Sequence, residues 1–258
     1  MPDSIFLSLR QILKSVFKNT SSLQSNALMV KDGYFTKITE EVIVMLQKHE
    51  ILREIHNGYL VAVIRGKSKE EAVEISKQAF QGGIRSLEVT FSTPGAEDAI
   101  AELVQTGDPN MIVGAGTVLD AETARIAIMK GARYIVSPHF NKDIATVCNR
   151  YAIPYLPGCG SVTEIMQALE SGVDVVKLFP GSLMGPGFLK DVKCPIPHVE
   201  LMPSGGVSID NLDKWVNNGA FAVGVGSALT KGVKNGDYSS VQEVARQFAE
   251  KLASVKGE

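Results

Sequence analysis

Cysteine is scarce. Cys148, Cys159 and Cys194 are the three in 258 residues. An odd number at wide spacing builds neither a disulfide framework nor a zinc site. None of the four histidines falls in HExxH or a similar ligand pattern, so no metal site is expected. Charge of one sign is also missing. Twenty-six Lys and Arg stand against 28 Asp and Glu, for a net charge of −2. No global basic field draws nucleic acid or an anionic membrane surface to the chain. No apolar run is long enough to span a bilayer, and no secretory segment with a small-residue cleavage site stands out. A reducing cytoplasm fits these absences best. A glycine fingerprint is missing where a dinucleotide-binding fold would carry it: the first apolar run, LVAVI from Leu60, leads into IRGKSKEE, with Gly66 alone. No cofactor is expected.

Hydrophobic residues make up 45% of the chain, enough for a substantial core. From Leu60 onward one rhythm repeats. Short apolar runs begin at Leu60, Ser86, Met111, Tyr134, Ile153, Val175, Val199 and Ala222. Helical segments with start and stop signals lie between them. Ser68 with Glu71 and Ser161 with Glu164 read as capping boxes. Asp120 opens another helix, and Gly131 and Gly172 read as left-handed stops. SIDNLDKWVNNGA is expected to be helical from Ser208 to Gly219, and SSVQEVARQFAEKLASV forms the last helix. Strands alternating with helices imply βαβ units and a parallel sheet. Eight such units imply an α/β fold, a single (β/α)₈ TIM barrel; an open doubly wound sheet is the alternative. Residues 38–55 read as an extra N-terminal helix capping the bottom of the barrel, within a domain spanning 37–258. Residues 1–36 read as a poorly ordered extension. Their basic, apolar, Ser-rich start would also suit a transit peptide or a surface-binding helix, or lie upstream of a true start at Met29.

Barrels carry chemistry at the C-terminal ends of their strands, and polar residues and glycines gather there. The first strand ends in Arg65, the third in Gly116-Thr117, the fourth in Ser137-Pro138-His139. The seventh ends in Pro203-Ser204-Gly205-Gly206 and the eighth in Gly224-Val225-Gly226-Ser227. Lys177 lies inside Val175-Val176-Lys177-Leu178-Phe179, and alternation turns it to the same face as Val175 and Phe179. Glu88 shares a face with Ser86 and Thr90. An inward lysine and an inward glutamate must be paired, neutralised or used. A pair that only satisfies itself is a weak device for stability. Burial disfavours an ammonium ion, and a neutral amine can attack a carbonyl to form a Schiff base. A carboxylate such as Glu88 can then move the protons. The glycines after the seventh and eighth strands let backbone N–H groups approach a phosphate, with Ser204 and Ser227 as further donors; otherwise they serve tight turns. Arg65 suits a carboxylate in bidentate fashion or a surface ion pair. Thr117 would join it or cap a turn. His139 reads as polar rim and Trp215 as core.

From about Glu54 to the C-terminus the sequence resembles the 2-keto-3-deoxy-6-phosphogluconate (KDPG) aldolases, including bifunctional enzymes that also act on 4-hydroxy-2-oxoglutarate (KHG). GGIRSLEVTFSTP, VGAGTVLDAETA, ARYIVSPHFN, IPYLPG, VVKLFPGSLMGPGFLK, LMPSGGVSIDN and AVGVGSAL carry the likeness, in order. The resemblance implies a class I, metal-free aldolase acting on a sugar acid, and a homotrimer. It implies that Lys177 forms an imine with pyruvate and that Glu88 is the general acid and base. Thr117 would help hold pyruvate, Pro138 and Phe179 would wall its pocket, and Ser204, Gly205, Gly206, Gly226 and Ser227 would receive the phosphate. Many members carry an arginine for the pyruvate carboxylate where this chain has Ser92; Arg65 would replace it. PSGG stands where PTGG is commoner, keeping the hydroxyl and losing a methyl. The substrate implied is KDPG, its galactonate epimer or 4-hydroxy-2-oxoglutarate. Without the resemblance, a phosphosugar isomerase or epimerase, or a non-catalytic phosphosugar-binding barrel, would also fit.

Overall fold

The computed structural model describes residues 47–234 and 236–257. Helix α1 covers 47–58. Strand and helix then alternate: β1 (Leu60–Ile64), α2 (Lys69–Gln81), β2 (Ser86–Thr90), α3 (Ala96–Gln105), β3 (Ile112–Gly116) and α4 (Ala121–Met129). There follow β4 (Ile135–Ser137), α5 (Lys142–Arg150), β5 (Tyr155–Cys159), α6 (Val162–Glu170) and β6 (Val175–Leu178). Two short helices, α7 (Gly181–Met184) and α8 (Gly187–Lys193), precede β7 (Glu200–Pro203). The chain ends with α9 (Leu212–Asn217), β8 (Val223–Val225), α10 (Ser227–Thr230) and α11 (Ser239–Lys256). The strands form one parallel sheet in the order β7-β6-β5-β4-β3-β2-β1-β8. A bridge from Ser204 to Gly224 joins β7 to β8 and closes the (β/α)₈ barrel.

The strands are short apolar runs because both faces are covered. Outward residues such as Ala62, Leu87, Val176 and Leu201 pack beneath the helices. Inward residues form a second core of Val61, Ile112, Tyr134, Val136, Leu156, Val175, Met202 and Ala222. Ile51, Leu52 and Ile55 of α1 join this inner core. Residue 60 begins β1, so the preceding helix meets the end of the barrel where strands begin, as expected of a cap. The first residues of that expected helix, 38–46, and the expected extension, 1–36, lie outside the described residues.

The capping signals act as the sequence suggests. Ser68, Asp120 and Ser161 accept from the backbone N–H of Glu71, Thr123 and Glu164. Gly131 and Gly172 take φ of 96° and 80°. One expectation is corrected. The helix expected from Ser208 begins at Leu212. The Asn211 side chain accepts from Ser208 N–H at 2.9 Å, and Asn211 N–H donates to the Ser208 carbonyl. That closes a turn which competes with a first helical turn. Among the described residues, no helix is long and apolar enough to cross a membrane.

Candidate active site

Period-two alternation turns Glu88 of β2 and Lys177 of β6 into the barrel, and they meet there. Lys177 Nζ lies 3.3 Å from Glu88 Oε1. Glu88 is fully buried and Lys177 is 5% exposed. Desolvating both charges costs several kcal/mol per ion, on the order of what a single contact returns. The other carboxylate oxygen, Glu88 Oε2, has no partner among the described residues. An ion pair kept for stability would have its acceptors filled, so a half-satisfied carboxylate beside an amine is better suited to exchanging protons.

Glycines make room for this pair. A Cβ on Gly116 would stand 2.2 Å from Glu88 Oε1 and 2.5 Å from its Cγ. Gly158 pairs in register with Lys177, and a Cβ there would stand 2.2 Å from the Pro138 carbonyl oxygen. The chain after β4 therefore folds over β5 next to the lysine, which brings Pro138 to the pair. Phe179 stands at the mouth, with Lys177 Nζ 5.5 Å from its ring centroid, within reach of a cation–π contact. Thr117 follows Gly116 with φ of 54°. A β-branched residue in the left-handed region is strained, and such strain gathers at functional sites.

The loops after β6, β7 and β8 interlock beside the pair. Gly181 N–H donates to the Ser204 carbonyl at 2.9 Å, and Ser204 N–H donates to the Leu178 carbonyl at 3.0 Å. Gly205 and Gly206 take φ of 89° and 76°, and a Cβ on Gly206 would strike Ser182 at 2.8 Å. Ser204 is buried, and a Cβ on Gly224 would meet its Oγ at 2.6 Å. Arg65 is exposed at the end of β1, and its Nη1 would lie 3.6 Å from a Cβ on Gly226. The guanidinium thus stands beside the β8 loop, next to Ser227. Tight backbone, two serines and a cation give this side an anion-binding character.

The expected residues separate into two groups, with His139 and Trp215 outside both. Lys177 and Glu88 form the buried centre, with the half-buried Pro138 and Phe179 beside it and Thr117 at its edge. Ser204, Gly205, Gly206, Gly226, Ser227 and Arg65 form the rim over β7 and β8. His139 is exposed, and its backbone carbonyl, not its ring, accepts from Ser137 Oγ and Tyr155 OH. Trp215 is buried in the outer core. Thr93 escaped the sequence reading. It is 3% exposed, and its Oγ1 accepts from Gly66 N–H at 3.0 Å, pinning the turn that carries Arg65. The signal was a polar residue just past a strand end. Ser92 Oγ is 2.9 Å from Thr90 Oγ1, which donates to the Ile64 carbonyl, so this edge of the mouth is held by hydroxyls. Among the described residues, no group of three or more His, Cys, Asp or Glu side chains is arranged to hold a metal ion.

Comparison with known proteins gives the geometry a setting. A model described as "Aldolase: KDPG and KHG aldolase" matches residues 51–244. A 2-dehydro-3-deoxy-phosphogluconate aldolase of Treponema pallidum is 36% identical over 200 residues, covering 76% of this chain and 95% of that protein. A 2-dehydro-3-deoxy-6-phosphogalactonate aldolase of Escherichia coli is 30% identical over 198 residues, covering 76% and 93%. The structure of a KDPG aldolase from Legionella pneumophila, with pyruvate captured as a covalent carbinolamine, superposes with a TM-score of 0.67 at 31% identity, covering 73% of this chain and 92% of that one.

Proposed function

The chain belongs to the KDPG and KHG aldolase family, and from that premise we propose that Lys177 and Glu88 carry a retro-aldol cleavage of KDPG to pyruvate and glyceraldehyde 3-phosphate. The observation that carries this reading is the 3.3 Å approach of the Lys177 amine to the Glu88 carboxylate in a buried site. Passing a proton from Lys177 to Glu88 leaves a neutral nucleophile beside a carboxylic acid. The amine attacks C2 of the substrate, and the carbinolamine hydroxyl leaves as water with the proton from Glu88, giving a protonated imine and a Glu88 carboxylate. A carboxylate at Glu88 then takes the proton of the C4 hydroxyl. The C3–C4 bond breaks, its electrons enter the imine as an enamine, and the aldehyde leaves. Glu88 returns the proton to C3. Water then hydrolyses the imine, releasing pyruvate and restoring the amine.

The remaining residues position this chemistry. Phe179 and Pro138 wall the pyruvate end, Thr117 holds it and Arg65 receives its carboxylate. Ser204, Gly205, Gly206, Gly226 and Ser227 receive the phosphate. 4-Hydroxy-2-oxoglutarate, cleaved to pyruvate and glyoxylate, would use the same centre without the phosphate rim. The relative that acts on the galactonate epimer supports that epimer as a second substrate reading, decided by comparing kcat/KM for the three. A homotrimer is part of the reading. Leu119, just before α4, and Ile126 and Met129 on it, 53%, 46% and 70% exposed, are apolar surface of the kind that copies cover. Sedimentation would give the mass. Free thiols at Cys148, Cys159 and Cys194 suit the cytoplasm.

Borohydride reduction in the presence of pyruvate tests the centre. A pyruvate-sized mass increase is expected on the peptide containing Lys177, and none in Lys177→Met. A folded wild-type protein that gives no adduct rejects the aldolase reading in favour of an isomerase or a binding barrel. Arg65→Ala tests the carboxylate anchor. KM for every pyruvate-yielding substrate should rise by about tenfold, as for a lost charge-assisted contact. A rise confined to phosphorylated substrates would assign Arg65 to the phosphate.

A further inference from the structure

We propose that Tyr134 is a positioning residue for Glu88: its buried phenol hydroxyl, with Ser86 Oγ, holds the carboxylate from below through a shared internal water. The proposal rests on the reading of Glu88 as the proton-transfer group.

The placement comes from β3. Gly114 and Gly116 both face the interior, about 6.6 Å apart along the strand. Each lacks a side chain where a neighbour's side chain lies. A Cβ on Gly114 would stand 2.4 Å from Cε1 and Cζ of Tyr134. A Cβ on Gly116 would collide with the carboxyl end of Glu88. Gly114 is in register with Glu88 on β2, and the Ala115–Ile135 pairing sets Tyr134, just before β4, beside Gly114. The phenol therefore crosses β3 with Cζ over Gly114, bringing its hydroxyl toward the inner face of β2. The carboxyl leans upward over Gly116, leaving the hydroxyl beneath it. Ser86 stands two residues earlier on that inner face of β2.

Three polar atoms in this part of the barrel are buried without a partner among the described residues: Tyr134 OH, Ser86 Oγ and Glu88 Oε2. Each carries an unreturned desolvation cost if left so. A phenylalanine at 134 and an alanine at 86 would fill the same core without that cost. Internal waters make about three hydrogen bonds to buried groups of this kind, and these three supply two hydroxyls and one carboxylate oxygen. Burial, and after it the Glu88 carboxylate, hold the Tyr134 phenol well above its ordinary range, so it remains protonated and able to donate.

Exchange of the pyruvate methyl protons for solvent deuterium, followed by NMR, reads the Glu88 step downstream of the imine. It requires the imine and then repeated proton transfer at C3. In Tyr134→Phe the exchange should slow about tenfold while borohydride trapping of the imine stays at the wild-type level. Ser86→Ala should slow it in the same sense, by less, again with trapping intact. Wild-type exchange rates in both variants would overturn the proposal. Equal losses of trapping and exchange would also overturn it, because they report a general loosening of the site. Failure of the wild-type protein to trap pyruvate sinks instead the reading on which the proposal rests.

Discussion

The end of the barrel where the strands begin is sealed by Ile51, Leu52 and Ile55, which meet Val61, Ile112 and Val175 in one apolar core. Among the described residues, the end where the strands finish has no such plug. There the same eight strands present a buried ion pair, a strained threonine and loops of glycine and serine. Inward positions at the first end are filled mostly by apolar side chains, Val61, Ile112 and Val175 among them. At the second, Gly116, Gly158 and Gly224 leave space that Glu88, the Pro138 backbone and Ser204 occupy. One end is packed for stability, and the other gives up packing so that polar groups can stand at short range. The two properties should therefore be separable by mutation.

The largest expected effect is at the open end. Glu88→Gln keeps the shape and removes the carboxylate proposed to carry the proton. Turnover should drop about 10³-fold while the pyruvate imine still traps; undiminished kcat would remove Glu88 from its role. Ile55→Ala is the counterpart at the sealed end. It should cost about 2–5 kcal/mol of unfolding free energy in denaturant titration, with kcat unchanged below the unfolding transition. A matching fall in kcat would show that the ends are coupled. Gly116→Ala sharpens the contrast, since its methyl would displace Glu88 Oε1 from 2.2 Å. Turnover should fall about 100-fold, the cost of misplacing a reacting group by about 1 Å, with trapping retained. Asp120→Ala is the smallest. Asp120 lies at the open end but serves as a helix cap, so it should cost about 1 kcal/mol of stability and leave KM alone. The Thr123 N–H holds the Asp120 carboxyl below its usual range. The wild type's advantage should thus be full above the ordinary carboxylate range and shrink as acid protonates the folded-state carboxyl.

The barrel was legible because each strand is buried on both faces, leaving short apolar runs between capped helices. All eight expected runs begin within two residues of a strand, the fifth least closely, with β5 at Tyr155–Cys159. Helices α3 and α5 were less visible. The first follows Gly95 with φ of 71° and no side-chain cap, and the second relies on Asn141 as its cap, outside the Ser/Thr–Glu pattern. Lys177 and Glu88 stood out because charges interrupt apolar runs at inward positions. The direction of Arg65 could not be read, because alternation ends with the strand. Tyr134 was hidden for a different reason: an aromatic residue at the start of an apolar run looks like filler, and its hydroxyl gains meaning only once Gly114 is seen beneath the ring.

The glycines of β3 carry a historical consequence. Gly114 lends its volume to Tyr134, and Gly116 lends its volume to Glu88. A lineage descending from such a chain is therefore not free to change these positions one at a time. A side chain gained at 114 demands a smaller residue at 134, in the same step or earlier, whereas 116 is tied to Glu88, the carboxylate proposed to move the protons. Across related sequences positions 114 and 134 should drift as a linked pair, while 116 and 88 should stand still together.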